Sequence, residues 1–257
     1  MSNSDWALST TDFRLLWEQQ DGSEFPPDLL PVGTPGVDLE RRRIDLENAP
    51  LTGGRLEAMA AFTRPYVSIG VAGIDATRDF ADPIHHLHLT AAWSVGAEYA
   101  YVARQQVGAH ISEGGDVTIS RVPSNSLPGT VVEMLPPSSG AGRLPADLAV
   151  TFRQEPLLAE STIPVVVAAR SDVATAAFES TVTPTTCGSL RVQVGSITDG
   201  RRPSSLELRF RDIPDDGRYL LIIDDPGAAM PVDSITLTKM LNRVINLLRK
   251  RHKQTAI

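Results

Sequence analysis

The chain has 257 residues, 42% hydrophobic and 21% charged, with a formal net charge of −7. Those proportions belong to a globular chain large enough to bury a core, which excludes wholesale disorder. The acidic balance excludes a general nucleic-acid binder, whose surface must be basic to displace counterions from phosphate. The single cysteine, Cys187, rules out an intramolecular disulfide and points to a reducing cytoplasm. Residues 1–13 have neither the positive n-region nor the apolar h-region of a secretory signal, and no run approaches ~18 uninterrupted apolar residues, so neither export nor a transmembrane helix is expected.

The first predicted element is a helix over residues 11–19, capped by Thr10 or Thr11, with Phe13, Leu16 and Trp17 as its apolar stripe at i, i+3, i+4. Phe25-Pro26-Pro27 stops it. Residues 39–46, with three consecutive arginines, suggest a short surface helix. Gly53-Gly54 opens another helix through Phe62, with Leu56, Met59, Ala60 and Phe62 inward, and Pro65 ends it. Strands follow at residues 66–72, 87–93, 98–106 and 117–122. Val67, Ile69 and Val71 share a face of the first, and Leu87, Leu89, Ala91 and Trp93 a face of the second. Ser126 is placed to cap a helix over residues 127–135.

Residues 136–164 are rich in Pro, Gly and Ser and read as a connector crossing the surface. A short buried segment at 165–169 and a helix at 172–181 come next. The second strand set is the clearest: Leu190, Val192 and Val194 alternate with polar residues, as do Leu206, Leu208 and Phe210, while residues 218–224 are apolar throughout. Asp199-Gly200 and Asp216-Gly217 supply hairpin turns. Asp233 or Ser234 caps a final helix whose buried stripe is Leu237, Leu241, Val244, Ile245 and Leu248, with a basic run from Arg249 to Lys253 at the negative end of its dipole. Residues 66–135 and 188–252 thus repeat one unit, antiparallel strands closed by a helix.

The sequence carries few groups with the spacing that chemistry requires. His85, His86 and His88 are the one histidine cluster. On a strand His86 and His88 share a face, but no third ligand of the Cys-x-x-Cys or His-Glu-x-x-His kind accompanies them. Cys187 has no base identifiable from spacing. Nucleophile elbows, Walker loops and dinucleotide fingerprints are absent. No catalytic residue, cofactor or metal site is therefore expected. A metal-dependent enzyme using the histidine cluster stays open as a lesser alternative.

The order of pieces resembles the EspG family, cytosolic chaperones associated with ESX (type VII) secretion in actinobacteria. The resemblance is carried by TDFRLLW at 11–17 followed by FPPDL at 25–29, by LEAMAAFTRPYVSIGV at 56–71, by residues 97–103 through Asp116-Val117-Thr118-Ile119, and by Gly217-Arg218-Tyr219-Leu220 followed by Pro231 and the helix bearing Leu241, Leu247 and Leu248. It implies one α+β domain over residues 1–257, a central antiparallel β-sheet with helical bundles and a quasi-two-fold internal repeat. The halves are 1–135 and 165–257, joined by the connector 136–164. It also implies a non-enzymatic, cytoplasmic chaperone that binds the helical tip of PE/PPE-like substrates. A non-chaperone adaptor of the same secretion system is the other reading. Residues 28–54 are shorter and more irregular than the family's helical stretch, and residues 136–186 are Pro-rich where members carry more helix.

The expected partner site is the loop over residues 73–85. It is too long for a tight hairpin and holds Asp75, Arg78, Asp79 and Asp82 around the aromatic Phe80, an apolar anchor ringed by charge. The EspG resemblance points to the same residues, because the loop between the equivalent strands contacts substrate in that family.

Overall fold

A computed structural model describes residues 5–20, 25–33, 36–75, 86–143, 184–196, 202–222 and 229–254. The fold is α+β: one nine-stranded, wholly antiparallel sheet in the order β1-β5-β4-β3-β2-β6-β7-β8-β9, with five α-helices among the described residues. The strands are β1 (Trp6–Leu8), β2 (Val67–Asp75), β3 (His86–Trp93), β4 (Tyr99–Val107), β5 (Gly114–Pro123), β6 (Thr186–Val194), β7 (Ser204–Ile213), β8 (Gly217–Ile222) and β9 (Ala229–Pro231). The helices are α1 (Thr10–Gln20), α2 (Leu39–Asn48), α3 (Gly54–Thr63), α4 (Leu127–Glu133) and α5 (Ser234–Gln254).

The two strand sets meet at the centre of the sheet. β2 and β6 pair over nine residues, Val67 opposite Val194 through Asp75 opposite Thr186. Val71 and Leu190, the middle residues of their strands, face each other. The strand order is symmetric about that pair: β2, β3, β4 and β5 run outward on one side and β6, β7, β8 and β9 on the other, and each set is followed in the chain by a helix, α4 or α5.

One face of the sheet is apolar across both halves. Val67, Ile69, Val71, Leu89, Leu190, Val192, Leu208 and Leu220 bury against α4 and α5. The predicted stripe of α5 is fully inward, and Asp233 caps the helix by accepting from the Thr236 N–H at 2.6 Å. That bond, formed with the ionised group, holds the Asp233 carboxyl below its usual range.

Among the described residues, the other face carries α1, α2 and α3, packed over the first half. Phe13, Trp17, Met59 and Phe62 pack there on Ala92, Tyr101, Ala103 and Ile119. β4 is therefore buried on both faces, with Ala100 and Val102 toward α4 and α5 and Tyr101 and Ala103 toward α1 and α3. Gln105 ties this layer to the sheet. Its amide donates to Thr10 Oγ1 and to the Leu30 carbonyl, both at 2.8 Å, and its Oε1 accepts from the Leu30 N–H at 2.8 Å. α2 buries no residue and is held by Arg42, which grips Asp12 through two bonds of 2.5 and 2.7 Å, and by Arg43 on Glu18.

Several local readings need correction. Ser9, not Thr10 or Thr11, caps α1, because its Oγ accepts from the Asp12 N–H. In α3 Met59 and Phe62 are buried as expected, but Ala58 and Ala61 are buried as well and Leu56, expected inward, is 43% exposed. Ser126 makes no cap bond; its hydroxyl donates to the Pro123 carbonyl within a 3₁₀ turn over Ser124–Ser126. In the β7–β8 turn Gly217 takes a positive φ of 148° as expected, but the second positive φ falls at Asp215, 58°, and not at Asp216. The predicted elements at 165–169 and 172–181 and the Asp199-Gly200 turn lie outside the described residues.

Candidate functional site

The candidate site grows from the end of β2. Asp75 is the last residue of that strand and pairs with Thr186 of β6. Arg78, Asp79, Phe80, Asp82 and His85 lie outside the described residues. What the structure places beside Asp75 is the sheet surface on which the loop's two ends stand.

Strand register assembles that surface in rows. His86 of β3, Ile74 of β2, Cys187 of β6 and Arg211 of β7 stand side by side, and His88, Ala72, Ser189 and Arg209 form the next row. These side chains line an open cavity of about 430 Å³. Its floor is made of small residues, Ala72, Gly73 and Gly188, and its walls are histidine on one side and arginine on the other. The two histidine rings stack at 6.1 Å with 17° between planes.

His88 is tied down from the side by the segment after α1. Its Nδ1 lies 3.0 Å from the Asp28 carbonyl oxygen, so Nδ1 carries the proton and donates. Burial lowers the His88 pKa, opposed by this bond and assisted by neighbouring His86, so the ring is neutral at pH 7. Burial raises the Cys187 pKa, only partly offset by Arg211, so the sulfur stays a thiol. Among the described residues no three His, Cys, Asp or Glu side chains are grouped to hold a metal ion.

A second cavity, of about 220 Å³, continues the surface toward α1 and is lined by Trp17, Asp28, Phe62, Gly70, Arg191 and Gln193 among others. Asp28 is 6% exposed, and its carboxylate occupies the space above Gly70, where a Cβ would overlap it. Burial raises the Asp28 pKa, and Arg191, 4.0 Å away, pulls it back down. Sequence reasoning missed this group. Asp28 directly follows Pro26-Pro27, where an acidic residue reads as turn chemistry, and neither its partner Arg191 nor its seat at Gly70 is near it in sequence.

Chemically, the arrangement offers hydrogen-bond donors, guanidinium groups and small-residue relief on an antiparallel surface, the material of a recognition site. Among the described residues no helix is long and apolar enough to cross a membrane. No protein-family model matches this chain, and no curated protein matches it.

Proposed function

We propose that the chain is a non-enzymatic cytoplasmic chaperone of a type VII (ESX) secretion system, EspG-like in organisation, that binds the helical tip of a PE/PPE-like substrate and keeps it soluble for export. The observation that carries this reading is the pairing of β2 with β6. It joins two strand sets, each followed by a helix, into one continuous antiparallel sheet whose strand order is symmetric about Val71 and Leu190, an arrangement of the kind the family resemblance implies. The states of His88 and Cys187 support a binding role over a catalytic one: the imidazole is anchored to a carbonyl, and burial favours the thiol form of Cys187. The substrate contact is assigned to the loop after β2, with Phe80 as anchor and Asp75, Arg78, Asp79 and Asp82 as its charged ring.

The test is co-expression with a PE–PPE pair from the same host. The chaperone reading expects the pair to become soluble and to co-elute with the chain. It also expects Phe80→Ala with Arg78→Glu to abolish co-elution while leaving the melting temperature nearly unchanged. Co-elution without any gain in substrate solubility favours the adaptor reading. Failure to bind any such pair removes both.

A further inference from the structure

The helix α5 is an electrostatic island. Its 21 residues include Lys239, Arg243, Arg249, Lys250, Arg251 and Lys253 and no Asp or Glu. The whole chain has a net charge of −7, so the residues outside this one helix carry −13. Burial sorts the six cations. Arg249 folds against the sheet, its guanidinium 4.8 Å from the Trp93 ring centroid and 5.3 Å from that of Tyr66, and Arg251 is half-buried. Lys239, Arg243, Lys250 and Lys253 are exposed. None of these four forms an ion pair with another described residue.

The four are not scattered. With the exposed Asn246 they fall at 239, 243, 246, 250 and 253, alternating steps of four and three along one side of the helix. That alternation averages the 3.5-residue period of a helix–helix seam, and a 21-residue helix is about 31 Å long. The apolar stripe of α5 is committed to the core, so the outward side is polar apart from Ile235 near its start. An amphipathic membrane helix would need that outward side apolar.

We infer that this seam docks an acidic α-helix of a partner protein. The shape of the charge decides the class of partner. A bilayer or a duplex presents a broad anionic surface and is best met by a broad basic one. Here the cations form a single line. The neighbouring helix α4 ends in the exposed Glu133, Asp233 sits at the N-terminus of α5 beside Lys239, and the remainder of the chain is strongly acidic. A line of cations flanked by acid meets another line, with Glu or Asp repeating in the same steps of four and three. Oppositely charged e/g positions pair in this way along coiled-coil seams. Arg249, near the C-terminus of α5, lies over Tyr66 and Trp93 at the opposite end of β2 from Asp75, and the inference does not depend on the chaperone reading.

The probe is a synthetic Ala/Gln-based helical peptide with Glu at steps of four and three. An isomer of identical composition, with its Glu residues distributed around the helix, is the comparison. Binding to the full-length chain is followed by fluorescence anisotropy at low ionic strength. The seam peptide is expected to bind more tightly than its isomer. Lys239→Glu, Arg243→Glu and Lys250→Glu together are expected to weaken it by between about tenfold and a hundredfold, as reversal of three exposed pairs implies. Raising the salt should weaken binding further. The triple Lys/Arg→Gln variant, which adds no repulsion, should show a smaller loss and guards against a reversal that unfolds the chain. Equal binding of the two peptides, or no binding of either, overturns the inference. So does tighter binding of phosphatidylserine vesicles or duplex DNA that the same variants abolish.

Discussion

Two corners of the sheet, at equivalent places in its symmetric strand order, solve one packing problem with opposite chemistry. In the first half Val67 opens β2 with Trp93 opposite it on β3, and the corner is apolar. In the second half Thr186 opens β6 with Asp212 opposite it on β7, and Arg218 of β8 pairs with Asp212. There the guanidinium donates two bonds of 2.7 Å to the Asp212 carboxylate and a third of 2.7 Å to the Pro136 carbonyl, while the Thr186 hydroxyl also donates to Asp212. Both corners use an arginine: Arg249 lies over Trp93, and Arg218 lies over Phe210 at 5.2 Å while bonding Asp212. The repeat therefore preserves backbone pairing and the shape of the core. It does not preserve the side-chain energetics: the Arg218 guanidinium bonds Asp212 and the Pro136 carbonyl, whereas the Arg249 Nε is buried with no hydrogen-bond partner among the described residues.

The largest effect should come from breaking the polar corner. Arg218 and Asp212 are 3% and 4% exposed at their side chains, so Arg218→Ala leaves a carboxylate buried without its cation. The expected loss is about 3–5 kcal/mol in urea unfolding. A loss near zero would mean that water enters the corner and that the two corners are less different than their burial indicates. The comparison is sharpened by converting the second corner to the chemistry of the first. Thr186→Val, Asp212→Leu and Arg218→Met together should lose far less than Arg218→Ala alone, because no unpaired charge remains.

Next in size is the layer that both halves share. Leu241 is fully buried at the centre of α5, and Leu241→Ala should cost about 2–5 kcal/mol. A change below ~0.5 kcal/mol would show that the stripe does not pack against the sheet. A smaller effect belongs to the apolar corner: Arg249→Met keeps the side-chain stem but removes the cation from Trp93 and Tyr66, an expected loss of about 0.5–2 kcal/mol. If Arg249→Met proved as costly as Arg218→Ala, the distinction between the corners would fail.

How much of this was legible in the sequence differs by element. The α5 stripe was readable because five apolar residues recur at helical spacing over 21 positions. The central pairing of β2 with β6 was readable only as a repeat, since register between strands more than a hundred residues apart leaves no local mark. β1 and β9 have three residues each, too short for alternation to register, and exist because a neighbouring strand offers them an edge. In α3 the large residues Met59 and Phe62 were legible as buried, whereas Ala58 and Ala61 were not, because alanine carries little hydrophobic signal. At the site, the shared face of His86 and His88 followed from strand period. Asp28 and Arg191 did not, because a buried carboxylate over a glycine is a tertiary arrangement.

The smallest expected effect is on pH dependence, and it separates the two walls of the cavity beside β2. The histidine wall contains His88, whose imidazole is the kind of group that changes charge between pH 5 and 8. His88 has its pKa lowered in the folded state, chiefly by burial, from an ordinary value of 6.5. A base with a lowered folded pKa binds fewer protons folded than unfolded, so its contribution to stability is complete above 6.5 and is lost as the pH falls below that value. The groups facing it are neighbouring His86, the Asp28 carbonyl that holds Nδ1, and, across the cavity, Cys187, Glu207, Arg209 and Arg211. His86, stacked at 6.1 Å, adds to the lowering of the His88 pKa. His88→Asn leaves an amide to donate to the Asp28 carbonyl and no proton to take up. Its stability should therefore fall less than that of the wild-type chain between pH 7 and pH 5 in parallel urea titrations. Identical pH profiles for the two proteins would place the His88 ring in solvent and detach the histidine wall from the segment that carries Asp28.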